Sequence, residues 1–234
     1  MTTRLVLENG TPLQVAGDPS APQAIIVVQE AFGVNDHIRS VIGRFASAGY
    51  YAVAPELFHR TGSQEVAYDN FPAAMGAMKE LSKEGLSEDL LAASAHLRAQ
   101  GYSGSSTAVV GYCMGGTVAF FAATLGIVGA AASFYGGGLD AGRFGLLPLL
   151  ELAPELRCAW IGLYGDLDKG IPVDQVEKLR AVTSESAYPT EVVRYADAGH
   201  GFHCDERRDA YNEAAAKDAH QRTLSFFAAN LTSK

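Results

Sequence analysis

Cys113 stands in Gly111-Tyr112-Cys113-Met114-Gly115-Gly116, after the apolar run Ser106-Thr107-Ala108-Val109-Val110 and before a small-residue helix pattern over 117–125. Strand, sharp turn and helix in that order make a nucleophile elbow, with cysteine where serine is usual. The flanking glycines are a steric need: the nucleophile's backbone is strained, and a Cβ on either neighbour would meet the other arm. Such a turn lifts the sulfur above the sheet edge and aims the Met114 N–H at a reacting carbonyl. A free thiol, with a pKa of about 8.5, is mostly protonated at neutral pH and needs a base or a positive field. His200, in Ala198-Gly199-His200-Gly201-Phe202, is the best base in the chain. An acid that holds the imidazole tautomer should come from Gly165-Asp166-Leu167-Asp168-Lys169-Gly170-Ile171-Pro172. Asp168 is favoured because the next helix begins near Pro172 and the loop must carry the acid toward His200; Asp166 is the alternative.

Further residues fall around this set. A second oxyanion donor should be the N–H of Ala31 or Phe32, in the loop after the apolar run Ala24-Ile25-Ile26-Val27-Val28-Gln29. Glu30 ends that run, so its carboxylate is expected to be partly buried and to need a partner. Arg39 is one; a place beside Cys113, modulating the thiol, is the other. Phe32, Tyr135, Phe202, His203 and Cys204 are candidates for lining a substrate pocket, with His203 at its rim and Tyr135 more suited to packing than to chemistry. Cys158, inside a strand pattern, reads as a small buried hydrophobe. Asp205-Glu206-Arg207-Arg208 reads as the charged start of a final helix.

Composition bounds the function. The chain has 234 residues, 48% of them hydrophobic, enough for one domain over 1–234 with its core between about 22 and 230. A net charge of −8 without a basic cluster argues against nucleic acid. No apolar stretch reaches membrane-spanning length, and the N-terminal MTTRLVLENG lacks an apolar signal core, so a cytoplasmic location is expected. Three cysteines at 113, 158 and 204 form neither a disulfide framework nor a zinc pattern, and no metal site is expected from them. The glycines carry no Lys-Ser/Thr pair and no G-x-G-x-x-G, which removes phosphate-loop readings.

The elements that must hold these residues alternate. A short hairpin around Asn9-Gly10 is followed by strands at 24–29, 50–54, 106–110, 129–134, 158–164 and 190–195. Helices are expected at 36–48, 72–82, 87–99, 117–125, 173–183 and 207–230, with an irregular loop over 56–71. This pattern predicts an α/β fold: a mostly parallel sheet with helices on both faces. Such sheets place their sites at the carboxyl ends of strands, where Glu30, Cys113, Asp166, Asp168 and His200 fall.

At these residues the chain resembles the dienelactone hydrolase (carboxymethylenebutenolidase) family of the α/β-hydrolase fold. The resembling blocks are Gln29-Glu30-Ala31-Phe32-Gly33-Val34-Asn35, Ala54-Pro55-Glu56-Leu57-Phe58, the Cys113 elbow, Phe134-Tyr135-Gly136, Gly165 to Pro172, and the His200 block. The chain order Cys, Asp, His is that of α/β-hydrolase triads. The resemblance implies cofactor-free hydrolysis of an enol-lactone, dienelactone to maleylacetate, by Cys113, Asp168 and His200. It implies that Glu30 helps deprotonate the cysteine, and that Ala31 rather than Phe32 supplies the second oxyanion N–H. Two positions depart from the pattern: Cys204 stands where the family has a substrate-binding arginine, and 68–86 contains no arginine. Arg60 would serve only if its loop folds back, and a less anionic lactone or ester fits as well.

The leading expectation is thus a hydrolase of a lactone or small carboxylic ester. Other classes compete: a thiol redox protein pairing Cys113 with Cys204, or a binding protein on a retired hydrolase scaffold.

Overall fold

The computed structural model describes residues 2–62 and 65–234; two positions of the expected 56–71 loop, Ser63 and Gln64, lie outside the described residues. Strands β1 (Thr3–Val6) and β2 (Pro12–Ala16) form the N-terminal hairpin. After them come β3 (Gln23–Val28), α1 (Asp36–Ser47) and β4 (Tyr50–Pro55). Helices α2 (Phe71–Lys79) and α3 (Lys83–Ala99) precede β5 (Thr107–Tyr112) and α4 (Met114–Thr124). The chain continues through β6 (Ala130–Phe134), the single turn α5 (Leu149–Leu152), β7 (Ala159–Gly165), α6 (Val173–Thr183), β8 (Thr190–Tyr195) and α7 (Glu213–Asn230).

The strands make one eight-stranded sheet in the order β1-β2-β4-β3-β5-β6-β7-β8. From β4 to β8 neighbours run parallel; β1 and β2 are antiparallel additions at one edge. From β3 the chain goes first to β4 on one side and then to β5 on the other. This is a topological switch point, and it opens a crevice beyond the carboxyl ends of β3 and β5. Glu30 and Ala31 follow the first strand, and Cys113 follows the second.

Helix α1 shows how the local sequence sets an element. Asn35 caps it, its side-chain oxygen accepting the Ile38 N–H at 3.1 Å. Ile38, Val41, Ile42 and Phe45 repeat at helical spacing and are all buried. On the same face α7 meets α1 where Phe45 and His220 pack with ring centroids 5.1 Å apart. Helix α4 differs: its residues from Met114 to Ala123 are all buried, so it carries apolar and small side chains on every side. Beneath it, Trp160 is fully buried; its indole N–H donates to Ser133 Oγ at 3.0 Å, and Phe120 meets the ring edge-on at 5.0 Å.

Several helix boundaries differ from expectation: α2 ends at Lys79 rather than 82, and α3 begins at Lys83 rather than 87, because Ser82 caps it by accepting the Gly85 N–H at 3.2 Å. Helix α4 begins at Met114, immediately after the cysteine, rather than at 117. The final helix begins at Glu213, not 207, because Asn212 caps it by accepting the Ala215 N–H at 3.1 Å. Residues 205–208 are drawn into contacts elsewhere: Asp205 binds His37 and Arg44, and Arg207 lies over Phe32. Among the described residues no helix is long and apolar enough to cross a membrane.

Candidate active site

The elbow is built by backbone crowding. Cys113 has φ 55°, in the left-handed region that non-glycine residues seldom enter. A Cβ on Gly111 would lie 1.8 Å from the Gly115 carbonyl oxygen, and one on Gly115 would lie 2.4 Å from that of Gln29. Gly116 presses on β6 in the same way, 2.6 Å from the Phe134 carbonyl oxygen. Three glycines thus let α4 start against β3 and β6, with the strain concentrated at Cys113. Met114 is the first residue of α4, so its N–H has no intrahelical acceptor.

The side chains converge at this turn. His200 Nε2 lies 3.1 Å from Cys113 Sγ, and His200 Nδ1 lies 2.6 Å from Asp168 Oδ2. Asp168 is buried and its other oxygen accepts the Gly170 N–H at 2.8 Å. Asp166, two residues earlier, is held by Arg194 through two bonds of 2.7 Å and points to another partner. Burial opposes a charge on His200, but the Cys113 sulfur and the Asp168 carboxylate outweigh it and raise the imidazole to about 10.

Above these groups opens a cavity of about 480 Å³, within the range of small-molecule sites. Ala31, Met114, Cys113 and His200 face it, as does Phe32. A tight turn after β3 presents Ala31 and Phe32, with Gly33 at φ 86° donating its N–H to the Glu30 carbonyl at 3.2 Å. Arg143, Lys169 and Arg207 bring positive charge to the wall. Arg207 stacks over Phe32 and Tyr68 at 5.6 and 5.9 Å.

Several expected positions lie elsewhere. Tyr135, Phe202, His203 and Cys204 do not line the cavity; all four are buried behind it. Phe202 packs on Tyr135 and Tyr195, and His203 is enclosed by Tyr112 and Phe134 instead of standing at a rim. Tyr135 has its ring 5.1 Å from that of His200 and its hydroxyl on Glu30 Oε1 at 3.0 Å. Its φ of 40° turns it to this position. Glu30 does not pair with Arg39, which is engaged by Asp36 and Glu65. Arg60 does not reach the cavity either: Asp89 and Glu88 hold it. Sequence pattern assigns Arg207 only to a charged helix start and gives no signal for Arg143 or Lys169; Arg207 reaches the wall because 205–211 form turns between β8 and α7 rather than helix.

A profile of the dienelactone hydrolase family matches residues 14–231. The carboxymethylenebutenolidase of Pseudomonas putida is 32% identical over 230 residues, spanning 92% of this chain and 89% of that protein. A Synechocystis protein assigned the same activity is 32% identical over 240 residues, spanning 98% and 97% of the two. Among solved structures, a Klebsiella pneumoniae chain assigned as a dienelactone hydrolase superposes with a TM-score of 0.83 at 30% identity, over 97% of this chain and 98% of that one. Matched along nearly its whole length in sequence and in structure, the chain belongs to the dienelactone hydrolase family, carboxylic ester hydrolases of the α/β-hydrolase fold.

Proposed function

We propose that the protein hydrolyses a small lactone or ester carrying a carboxylate, with Cys113 as nucleophile, His200 as base and Asp168 as its orienting acid. One observation carries the reading: a sulfur on a strained elbow lies 3.1 Å from an imidazole whose other nitrogen lies 2.6 Å from a buried carboxylate. The thiolate attacks the carbonyl carbon, and the oxyanion is held by the N–H groups of Ala31 and Met114. Collapse expels the ring or ester oxygen, which takes the proton from His200 and leaves an acyl-thioester on Cys113. Water then attacks, giving its proton to His200, and the thiolate departs. Glu30 assists thiol deprotonation in this scheme. Arg143, Lys169 and Arg207 are the cations that favour a carboxylate on the substrate, which removes the reason to prefer a less anionic one. The three cysteines, all unpaired, are in keeping with a reducing cytoplasm.

The test is a panel of neutral and carboxylate-bearing lactones and activated esters, with the acyl-enzyme trapped and located by mass spectrometry. An acyl group on Cys113 is expected, with carboxylate-bearing members turned over faster. Cys113→Ala should abolish turnover with the fold intact. Asp168→Asn should lower kcat by about 10⁴-fold, the scale set by removing a triad acid, while Asp166→Asn should leave kcat nearly unchanged. Undiminished turnover by Cys113→Ala would overturn the assignment.

A further inference from the structure

Behind the cavity wall a second group of side chains meets, drawn from three separate parts of the chain. Glu30 follows β3, His37 is in the first turn of α1, and Cys204 is in the loop between β8 and α7. All three are buried, and one ligand atom from each lies within 4.8 Å of the others. Two polar atoms of this group have no partner: Glu30 Oε2 and His37 Nε2. A buried polar atom left unpaired costs roughly 1–3 kcal/mol, so two in one place require an explanation.

The surroundings orient each group. Tyr135 donates its hydroxyl to Glu30 Oε1 at 3.0 Å, which leaves Oε2 as the open oxygen. Asp205 Oδ1 lies 3.0 Å from His37 Nδ1, and Asp205 is itself anchored by Arg44. An ionised carboxylate only accepts, so Nδ1 carries a proton toward Asp205, and Nε2 is the ring nitrogen left without a partner. Asn35 donates to the Tyr68 oxygen at 3.0 Å, and that hydroxyl lies 3.4 Å from Cys204 Sγ and 3.5 Å from Glu206 Oε2. A carboxylate oxygen, an imidazole nitrogen and a thiol therefore share one buried space, and the single S–H of Cys204 can serve at most one of the two unpartnered atoms. A carboxylate or tyrosine behind each ligand is the outer arrangement found around metal centres.

We propose that Glu30, His37 and Cys204 bind one divalent cation of the zinc class, with a water completing a tetrahedron. The donor set of oxygen, nitrogen and sulfur suits zinc or cobalt and disfavours magnesium and calcium. Carboxylate and thiolate together balance the dication, the thiol proton passing to solvent on binding. Ligand atoms around tetrahedral zinc stand roughly 3.3–3.8 Å apart given bonds of 2.0–2.3 Å, so the group need close by only about 1 Å. Residues 30, 37 and 204 have no metal-motif spacing, which is why the cysteine count led to the expectation of no metal. The effect on turnover rests on the function proposed above: a cation on Glu30 Oε2 withdraws that carboxylate from thiol activation and slows the enzyme.

The test starts from full-length protein stripped with chelator and titrated with Co²⁺. One equivalent should bind, with thiolate-to-cobalt charge-transfer absorption that Zn²⁺ then displaces. Cys113→Ala should keep this absorption; Cys204→Ser and His37→Gln should lose it, with circular dichroism reporting their folding. Asp205→Asn leaves all three ligands in place and should weaken binding by about 10–100-fold, so the proposal stays testable if a ligand variant fails to fold. Absence of binding by the wild type at micromolar Co²⁺, or absorption that follows Cys113 and not Cys204, would overturn it. So would a crystal grown with Zn²⁺ that shows only a water between Glu30 and His37. Binding at Cys204 with turnover unaltered would uphold the site and count against the role of Glu30 in activating the thiol.

Discussion

His200 sits between a sulfur and a carboxylate, and this makes its proton part of the folded structure. Its folded value, raised to about 10, lies above the ordinary imidazole value near 6.5. The stabilisation it contributes is therefore complete below about pH 6.5 and is lost as pH rises toward about 10. Thermal melts of the wild type should fall across that window more steeply than those of Cys113→Ala, where the sulfur partner of His200 is gone; parallel curves would refute the coupling. The site was only partly legible in the sequence, and the division is physical. Cys113 and His200 were readable because glycine-flanked turns at strand ends are local features. Asp168 was separable from Asp166 by the direction of its loop. The places of His203, Cys204 and Arg207 depend on how 201–211 folds back over α1 and β5, which local pattern does not encode.

At the scale of elements, close approach of backbones decides where substitution is tolerated. A methyl group on Gly111 would meet the Gly115 carbonyl oxygen at 1.8 Å and Ala119 Cβ at 3.0 Å, with no flexible side chain there to give way. Gly43, on α1, has no atom within 4 Å of the same added carbon. Gly111→Ala should thus cost more than about 4 kcal/mol and give little folded protein, whereas Gly43→Ala should gain roughly 0.5–1 kcal/mol from helix propensity. Urea titrations of the two variants beside the wild type measure both. Sequence pattern located every strand because continuous apolar runs mark strands buried on both faces. It placed the start of α7 six residues early, since Asp205 to Arg208 mimic a helix N-terminus while serving His37, Arg44 and Phe32. The capping residue, Asn212, was the better signal.

Across the whole molecule, the parallel sheet ties residues distant in the chain into one body. β3 pairs with both β4 and β5, so the first and middle thirds of the chain share a ladder, and α7 returns to pack on β6 and β7. We therefore expect a single cooperative domain, whose unfolding by far-ultraviolet circular dichroism and by an intrinsic probe should coincide. Two separated midpoints would show that the hairpin edge or the C-terminal strands melt independently. The chain supplies that intrinsic probe unaided. Trp160 is its sole tryptophan, enclosed in β7 between Ser133 and Phe120 and absent from the cavity wall. Its emission should be blue-shifted in the native state and insensitive to substrate. Fluorescence can then follow stability during turnover with no dye attached and no correction for occupancy of the substrate cavity.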